Sequence, residues 1–199
     1  MTNNIAAIGT STAVEIFIAV GSALSWWESA EDILLGLYKL LQADHAPEMI
    51  PKYVKAVRGP RARMMSQAVD ERADRFEGQE LEIVRNATAA LTALANRRNE
   101  ITHGHCTEAN SVVNGVTVMK GHYLHSAWHE NKPIERIPHN PEPRFALTAD
   151  DIRSFETAVR DARWAIFEVY GAILMRKNQA HMATQMHDRQ LHEAKLKNG

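Results

Sequence analysis

The chain has 199 residues, 45% hydrophobic and 24% charged, a composition that supports a packed core and excludes bulk disorder. Its formal net charge of −1 excludes a strong overall field for nucleic acid or an anionic membrane, so any RNA contact has to come from a local basic patch. The single cysteine, Cys106, excludes a disulfide framework within one chain and points to a reducing, cytoplasmic setting.

Met1 to Thr12 contains no Lys or Arg and so lacks the basic region of a signal peptide. Ile16 to Trp27 is free of charge and bracketed by Glu15 and Glu28, but it falls short of the roughly 20 residues a membrane span needs. It reads as a core helix. Thr12-Ala13-Val14-Glu15 has the form of a capping box. Behind it Val14, Phe17, Ile18, Leu24, Trp27, Ile33, Leu34, Leu37, Leu40 and Leu41 recur at helical spacing. A helix is predicted from Ala13 to about Ala43, ended by Asp44, His45 and Pro47. A short helix over Pro51 to Val57 is predicted to break at Gly59-Pro60, and another runs from Arg61 to Phe76 with Gly78 as its stop. From Gln79 to about His103 two apolar lines, one through Val84 and Leu91 and one through Ile83, Ala87 and Leu94, predict a long helix packed on more than one neighbour. Gly104 stands where a C-terminal glycine stop belongs.

The texture then changes. Asn114-Gly115 between β-branched runs predicts a hairpin over Val112 to Met119 with a type I′ turn. Lys120-Gly121 reads as a second turn, His122 to Ala127 as a third strand, the proline-rich stretch from Pro133 to Pro143 as loop, and Arg144 to Leu147 as a short strand. Thr148-Ala149-Asp150-Asp151 opens a last helix. Its line of Ile152, Phe155, Val159, Ala162, Ile166, Val169 and Ile173 is a bundle seam reaching about Arg176. The predicted fold is mainly α: an up-and-down helical bundle forming one domain over residues 1–176, with a small antiparallel β insert at about 110–147. A polar tail or dimer arm follows over 177–199.

Arg97-Arg98-Asn99-Glu100-Ile101-Thr102-His103-Gly104 concentrates polar groups at the point where an apolar stripe gives out. Asn99 and His103 are four apart and share a helix face, and Arg98 lies about 140° from His103. The segment resembles the signature of the HEPN superfamily, an Arg followed after four to six residues by a His, with a polar residue, often Asn, just after the Arg. Arg98, Asn99 and His103 match it, and Arg97 matches with a longer gap. The helical order from Ala13 to Arg176 fits, and the β insert resembles additions in some bacterial members. The resemblance implies a metal-independent endoribonuclease cleaving single-stranded RNA at a homodimer interface, without a cofactor, in stress or phage defence, with an antitoxin or regulatory protein as a partner. It assigns His103 the proton transfers, Arg98 the phosphate and Asn99 the orienting role. Some HEPN toxins carry a Tyr two residues after the His, which a partner enzyme modifies; His105 stands there in this chain.

Other readings compete. A helix end can carry Arg, Asn and His simply as caps, which makes a non-catalytic RNA-binding or protein-interaction module the alternative. Arg97, His105, Arg61 and Arg63 are weaker candidate RNA contacts. A third reading is a metal-binding protein using the His-rich insert through His122, His125 and His129, although on a strand His122 and His125 would face opposite sides. Cys106 beside His105 is a weak nucleophile candidate. Trp26, Trp27, Phe155, Trp164 and Phe167 read as core.

Overall fold

The computed structural model of the chain describes residues 9–43, 46–126, 128–129, 132–133 and 146–197. It is mainly helical with a small antiparallel sheet, as the sequence predicts. Helix α1 (Ala13–Leu41) starts at the predicted cap: the Glu15 N–H donates to Thr12 Oγ1 at 3.3 Å, and the Ser11 hydroxyl donates to the Glu15 carboxylate at 2.9 Å. Its buried line in this half is Ile16, Ala19, Ala23, Trp27 and Ala30. This corrects the predicted stripe, because Val14, Phe17 and Ile18 are 63%, 60% and 64% exposed. The buried line alternates the large Ile16 and Trp27 with alanines, which let neighbouring elements approach closely.

Helix α2 (Ala46–Lys55) is followed by α3 (Arg58–Glu71). The Gly59-Pro60 pair does not interrupt a helix; it lies in the first turn of α3, where a proline's missing N–H has no intrahelical acceptor to lose. A 3-10 turn at Ala73–Arg75 and Gly78 at φ +53 precede α4 (Glu80–Ala93). The predicted long helix continues through Leu94 into α5 (Ala95–Thr102). The Leu94 and Arg98 N–H groups still donate one turn back, to Ala90 at 3.0 Å and to Leu94 at 2.9 Å.

Gly104 does not end α5 in a left-handed turn. It opens strand β1 (Gly104–Val113) directly, and a Cβ there would lie 2.6 Å from Leu124 Cγ and 3.0 Å from the Glu100 carbonyl oxygen. β1 pairs with β2 (Val116–Ser126) across the predicted two-residue turn, Asn114 at φ +52 and Gly115 at φ +77. The turn predicted at Lys120-Gly121 is absent, because β2 runs through it with an irregularity opposite Ala109/Asn110. Gly121 takes φ +109, and a Cβ on it would sit 2.7 Å from the Gly9 carbonyl carbon. The chain crosses there: Thr10 exchanges backbone hydrogen bonds with His122 at 3.0 and 2.8 Å on the edge of β2 away from β1. Short strands β3 (Trp128–His129) and β4 (Lys132–Pro133) pair with each other, and β5 (Ala146–Leu147) pairs with β2. The proline-rich stretch after Pro133 and the Arg144 end of the predicted strand lie outside the described residues.

Helix α6 (Ala149–Lys197) begins with a reciprocal cap: Thr148 donates its N–H and hydroxyl to Asp151 Oδ2, both at 2.8 Å, and the Asp151 N–H donates back to Thr148 Oγ1 at 3.2 Å. Its predicted seam from Ile152 to Ile173 is buried throughout. The helix does not stop near Arg176; it continues with residues 177–190 exposed. Among the described residues no helix is long and apolar enough to cross a membrane.

The chain divides into two compact units, Met1–Asp32 with Ala89–Arg163, and Ile33–Thr88 with Trp164–Gly199. The first holds the sheet and α5 around Ile16, Trp27, Ile101, Leu124, Ile152 and Phe155, with Trp27 and Phe155 stacked at 6.0 Å. The second is helical, with Leu37, Tyr38, Leu41, Val69, Val84 and Ile166 buried. In it Arg176 joins Glu80 at 2.6 Å and the Arg75 carbonyl at 3.1 Å, holding the Glu80 carboxyl below its ordinary pKa.

Two glycine substitutions separate these effects. Gly121→Ala is expected to destabilise by about 1–3 kcal/mol, since it combines a positive φ with a backbone clash. Gly21→Ala, where nothing lies within 4 Å of the added carbon, should stabilise by about 0.5–1 kcal/mol. Urea unfolding of both variants checks the opposite signs.

Candidate functional site

Helix α5 is too short to hold itself together in water, and the burial of Ile101, 1% exposed, fixes its rotation. At about 100° per residue, Asn99 and His103 each lie about 160° from Ile101, and both are exposed. Arg98 lies about 60° from Ile101 and is half-buried, its side chain 27% exposed. Within one chain, then, Asn99 and His103 share a face and Arg98 points elsewhere.

Arg98 reaches α1. Its Nη2 is 3.5 Å from Glu28 Oε1 and its Nη1 is 3.5 Å from Asn99 Oδ1, while its Nε is buried with no hydrogen-bond partner. Both contacts are at the outer limit of a hydrogen bond. The backbone beneath is firmly held: the His103 N–H donates to the Asn99 carbonyl at 3.0 Å and the Thr102 hydroxyl to the Arg98 carbonyl at 2.8 Å. His103 is the C-cap, at φ −101 and ψ 7, and joins α5 to β1 without a linker. Sequence reasoning missed Glu28 as a partner of Arg98. It stood out only as the residue closing an uncharged stretch, and its distance from Arg98 in the chain hides the pairing.

The weaker candidates scatter. Arg97 makes a 2.9 Å ion pair with Glu100. Arg61 and Arg63 belong to the other unit, where Arg61 donates to the Val54 and Ala56 carbonyls and lies 5.6 Å from the Tyr53 ring centre; Arg63 is exposed. Trp27 is core, but Trp26 is half-buried with the guanidiniums of Arg160 and Arg163 each 5.9 Å from its ring.

His105 lies opposite His125 in the β1–β2 register, their rings 6.4 Å apart. His122 lies opposite Glu108, on the other face of β2 from His125, so the structure does not bring those two proposed metal ligands together. The His129 side chain lies outside the described residues. Among the described residues no group of three His, Cys, Asp or Glu side chains could hold a metal ion. Cys106 faces away from His105, and burial pushes its thiol up, which weakens it as a nucleophile.

Compared with known proteins, the chain matches no family model, no curated protein and no solved structure.

His125 is 4% exposed. Burial first, and His105 second, hold its pKa below the ordinary imidazole value of 6.5. The unfolded chain therefore takes up this proton before the folded one does, so the stability it contributes is complete above that value and is lost as pH falls through the folded pKa. The melting temperature is expected to drop on acidification from about pH 7.5 to pH 5, and His125→Gln should flatten that dependence. An equal drop in the variant would remove His125 as the cause.

Proposed function

We propose that the chain is a HEPN-type, metal-independent endoribonuclease acting on single-stranded RNA, with a homodimer completing the site. The observation that carries this reading is one short helix, α5, bearing an outward imidazole at its C-cap and a guanidinium held by long contacts alone. An imidazole can accept the ribose 2′-hydroxyl proton as that oxygen attacks phosphorus, and an imidazolium can protonate the departing 5′-oxygen. The bond from phosphorus to the 5′-oxygen breaks, leaving a 2′,3′-cyclic phosphate and a 5′-hydroxyl. A guanidinium stabilises the charge gathering on the phosphoryl oxygens, and Asn99 beside His103 orients the phosphate or the ring.

The divergence of Arg98 and His103 around α5 supports the need for a second copy. Two-fold symmetry lets Arg98 of one chain meet a phosphate held near His103 of the other. The exposed, 3.5 Å contact to Glu28 is of the kind worth roughly 0–1 kcal/mol, so a phosphate can displace it. By family analogy the enzyme works in the cytoplasm in stress or phage defence, restrained by an antitoxin or regulatory protein. The same Glu28 contact favours a second reading, a non-catalytic binding module in which Arg98 is structural.

The test is cleavage of end-labelled single-stranded RNA in EDTA. Wild type should yield cyclic-phosphate ends. His103→Ala and Arg98→Ala should each lose about a hundredfold or more in rate, and Glu28→Gln should cut faster. Absence of cleavage by wild type, or equal rates in all variants, would move the assignment to the binding module.

A further inference from the structure

The face of α1 opposite its buried line is left open. Val14, Phe17, Ile18, Gly21, Ser25 and Glu28 follow one another at three- and four-residue steps, and all six are exposed. They lie about 180° around the helix from the buried Ile16, Ala19 and Ala23. Val14, Phe17 and Ile18 are neighbours on that face and form one patch instead of scattered surface residues. They offer roughly 300 Å² of apolar surface, the size that marks a contact site on a monomer. Gly21 follows directly. A glycine inside a helix costs about 0.5–1 kcal/mol relative to alanine, and among the described residues nothing lies within 4 Å of a Cβ built on it. Packing within the chain therefore does not call for this glycine, whereas close approach by another molecule does.

We propose that this face docks on the same face of a second copy of the chain, as an antiparallel pair of α1 helices about a two-fold axis level with Ala19 and Val20. A second copy fits because the stripe complements itself. Its first half, Val14, Phe17 and Ile18, is bulky, and its second half, Gly21 and Ser25, is small. The antiparallel pair sets Ile18 over Gly21 of the other copy and Val14 over its Ser25, so the knobs of each copy enter the holes of the other. Charge selects the direction. Glu28 is the one charged residue of the stripe, and a parallel pair would set two Glu28 carboxylates side by side. The antiparallel pair holds them roughly 25 Å apart along the helices. Ser22 and Leu24, half-buried at the borders of the stripe, widen the contact toward the roughly 800 Å² per partner of a stable interface. Because Glu28 also touches Arg98, the pairing brings the second copy to the edge of the α5 site. The ribonuclease reading asks for a homodimer without naming its surface; this inference names one and stands without that reading.

The experiment is sedimentation velocity of the full chain over concentrations from about 1 to about 300 µM. Wild type should pass from monomer to dimer across that range, with a Kd on the order of 10 µM for so small an interface. Phe17→Asp and Gly21→Leu, both at exposed positions away from the core, should each raise the Kd about tenfold or more and leave far-UV circular dichroism unchanged. Adding Ile18→Ala to Gly21→Leu moves the bulk along the stripe but keeps knob against hole, and should restore most of the loss. A chain that stays monomeric throughout, a dimer that both single variants leave intact, or a double variant no better than Gly21→Leu overturns the inference. A dimer that dissociates in the variants but cuts no RNA as wild type keeps this surface and ends the ribonuclease reading. RNA cleavage by a dimer that Phe17→Asp and Gly21→Leu leave intact keeps the ribonuclease and overturns this surface.

Discussion

Burial of Ile101 orients everything of chemical interest in this chain. An eight-residue helix has little stability of its own, so the direction in which Arg97, Arg98, Asn99, Glu100 and His103 project is set by the one side chain that α5 commits to the core. Rotating α5 by a single residue would turn His103 toward the interior and Arg98 away from Glu28. The connection after it adds a second constraint. His103 is the last residue before β1, and Gly104 packs so closely on Leu124 and the Glu100 carbonyl that no side chain fits. The imidazole is thus held at a junction whose two sides are separately anchored, by Ile101 in the helix and by the β1–β2 ladder in the sheet.

That ladder is itself secured from an unexpected direction. The segment Gly9-Thr10 crosses β2 at Gly121 and pairs with His122, and the Thr10 hydroxyl accepts the Ala149 N–H at 2.8 Å in a buried position. One short stretch before α1 therefore ties the sheet to the start of α6. The buried His125 and its exposed register partner His105 sit farther along the same strands. The lowered pKa of His125 arises from burial in the scaffold next to the candidate site and is distinct from the chemistry proposed for His103.

The sequence disclosed features whose signal is local. The seam of α6 repeats every three or four residues, the Asn114-Gly115 turn is dictated by positive φ, and the caps at Thr12 and Thr148 depend on residues three apart. Features set by long-range packing were hidden. The α1 face could not be chosen from hydropathy, because Val14, Phe17 and Ile18 are as apolar as the Ile16, Ala19 and Ala23 line that is buried. Gly59-Pro60 and Lys120-Gly121 carry turn-forming composition, yet one pair starts a helix and the other lies within a strand, where the close approach of Gly9 makes the glycine necessary. At the candidate site, the helix position and the shared face of Asn99 and His103 were legible, and the 140° offset of Arg98 followed from helix geometry. Its pairing with Glu28 depends on residues the fold brings together from 70 positions apart, whereas the ion pair of Arg97 with Glu100 is three apart and local.

A chain of net charge −1 is an unpromising nucleic-acid binder if charge is averaged over its surface. Near α5, however, the two cations each stand beside one carboxylate, Arg98 by Glu28 and Arg97 by Glu100. The two pairs differ in a way that matters. Glu28 is 67% exposed and its contact is long, so solvent already competes for it and a phosphate oxygen can replace it at little cost. Glu100 is largely buried and close, and separating it from Arg97 would strand a charge. Exchange of a carboxylate for another anion is therefore easy at Arg98 and costly at Arg97.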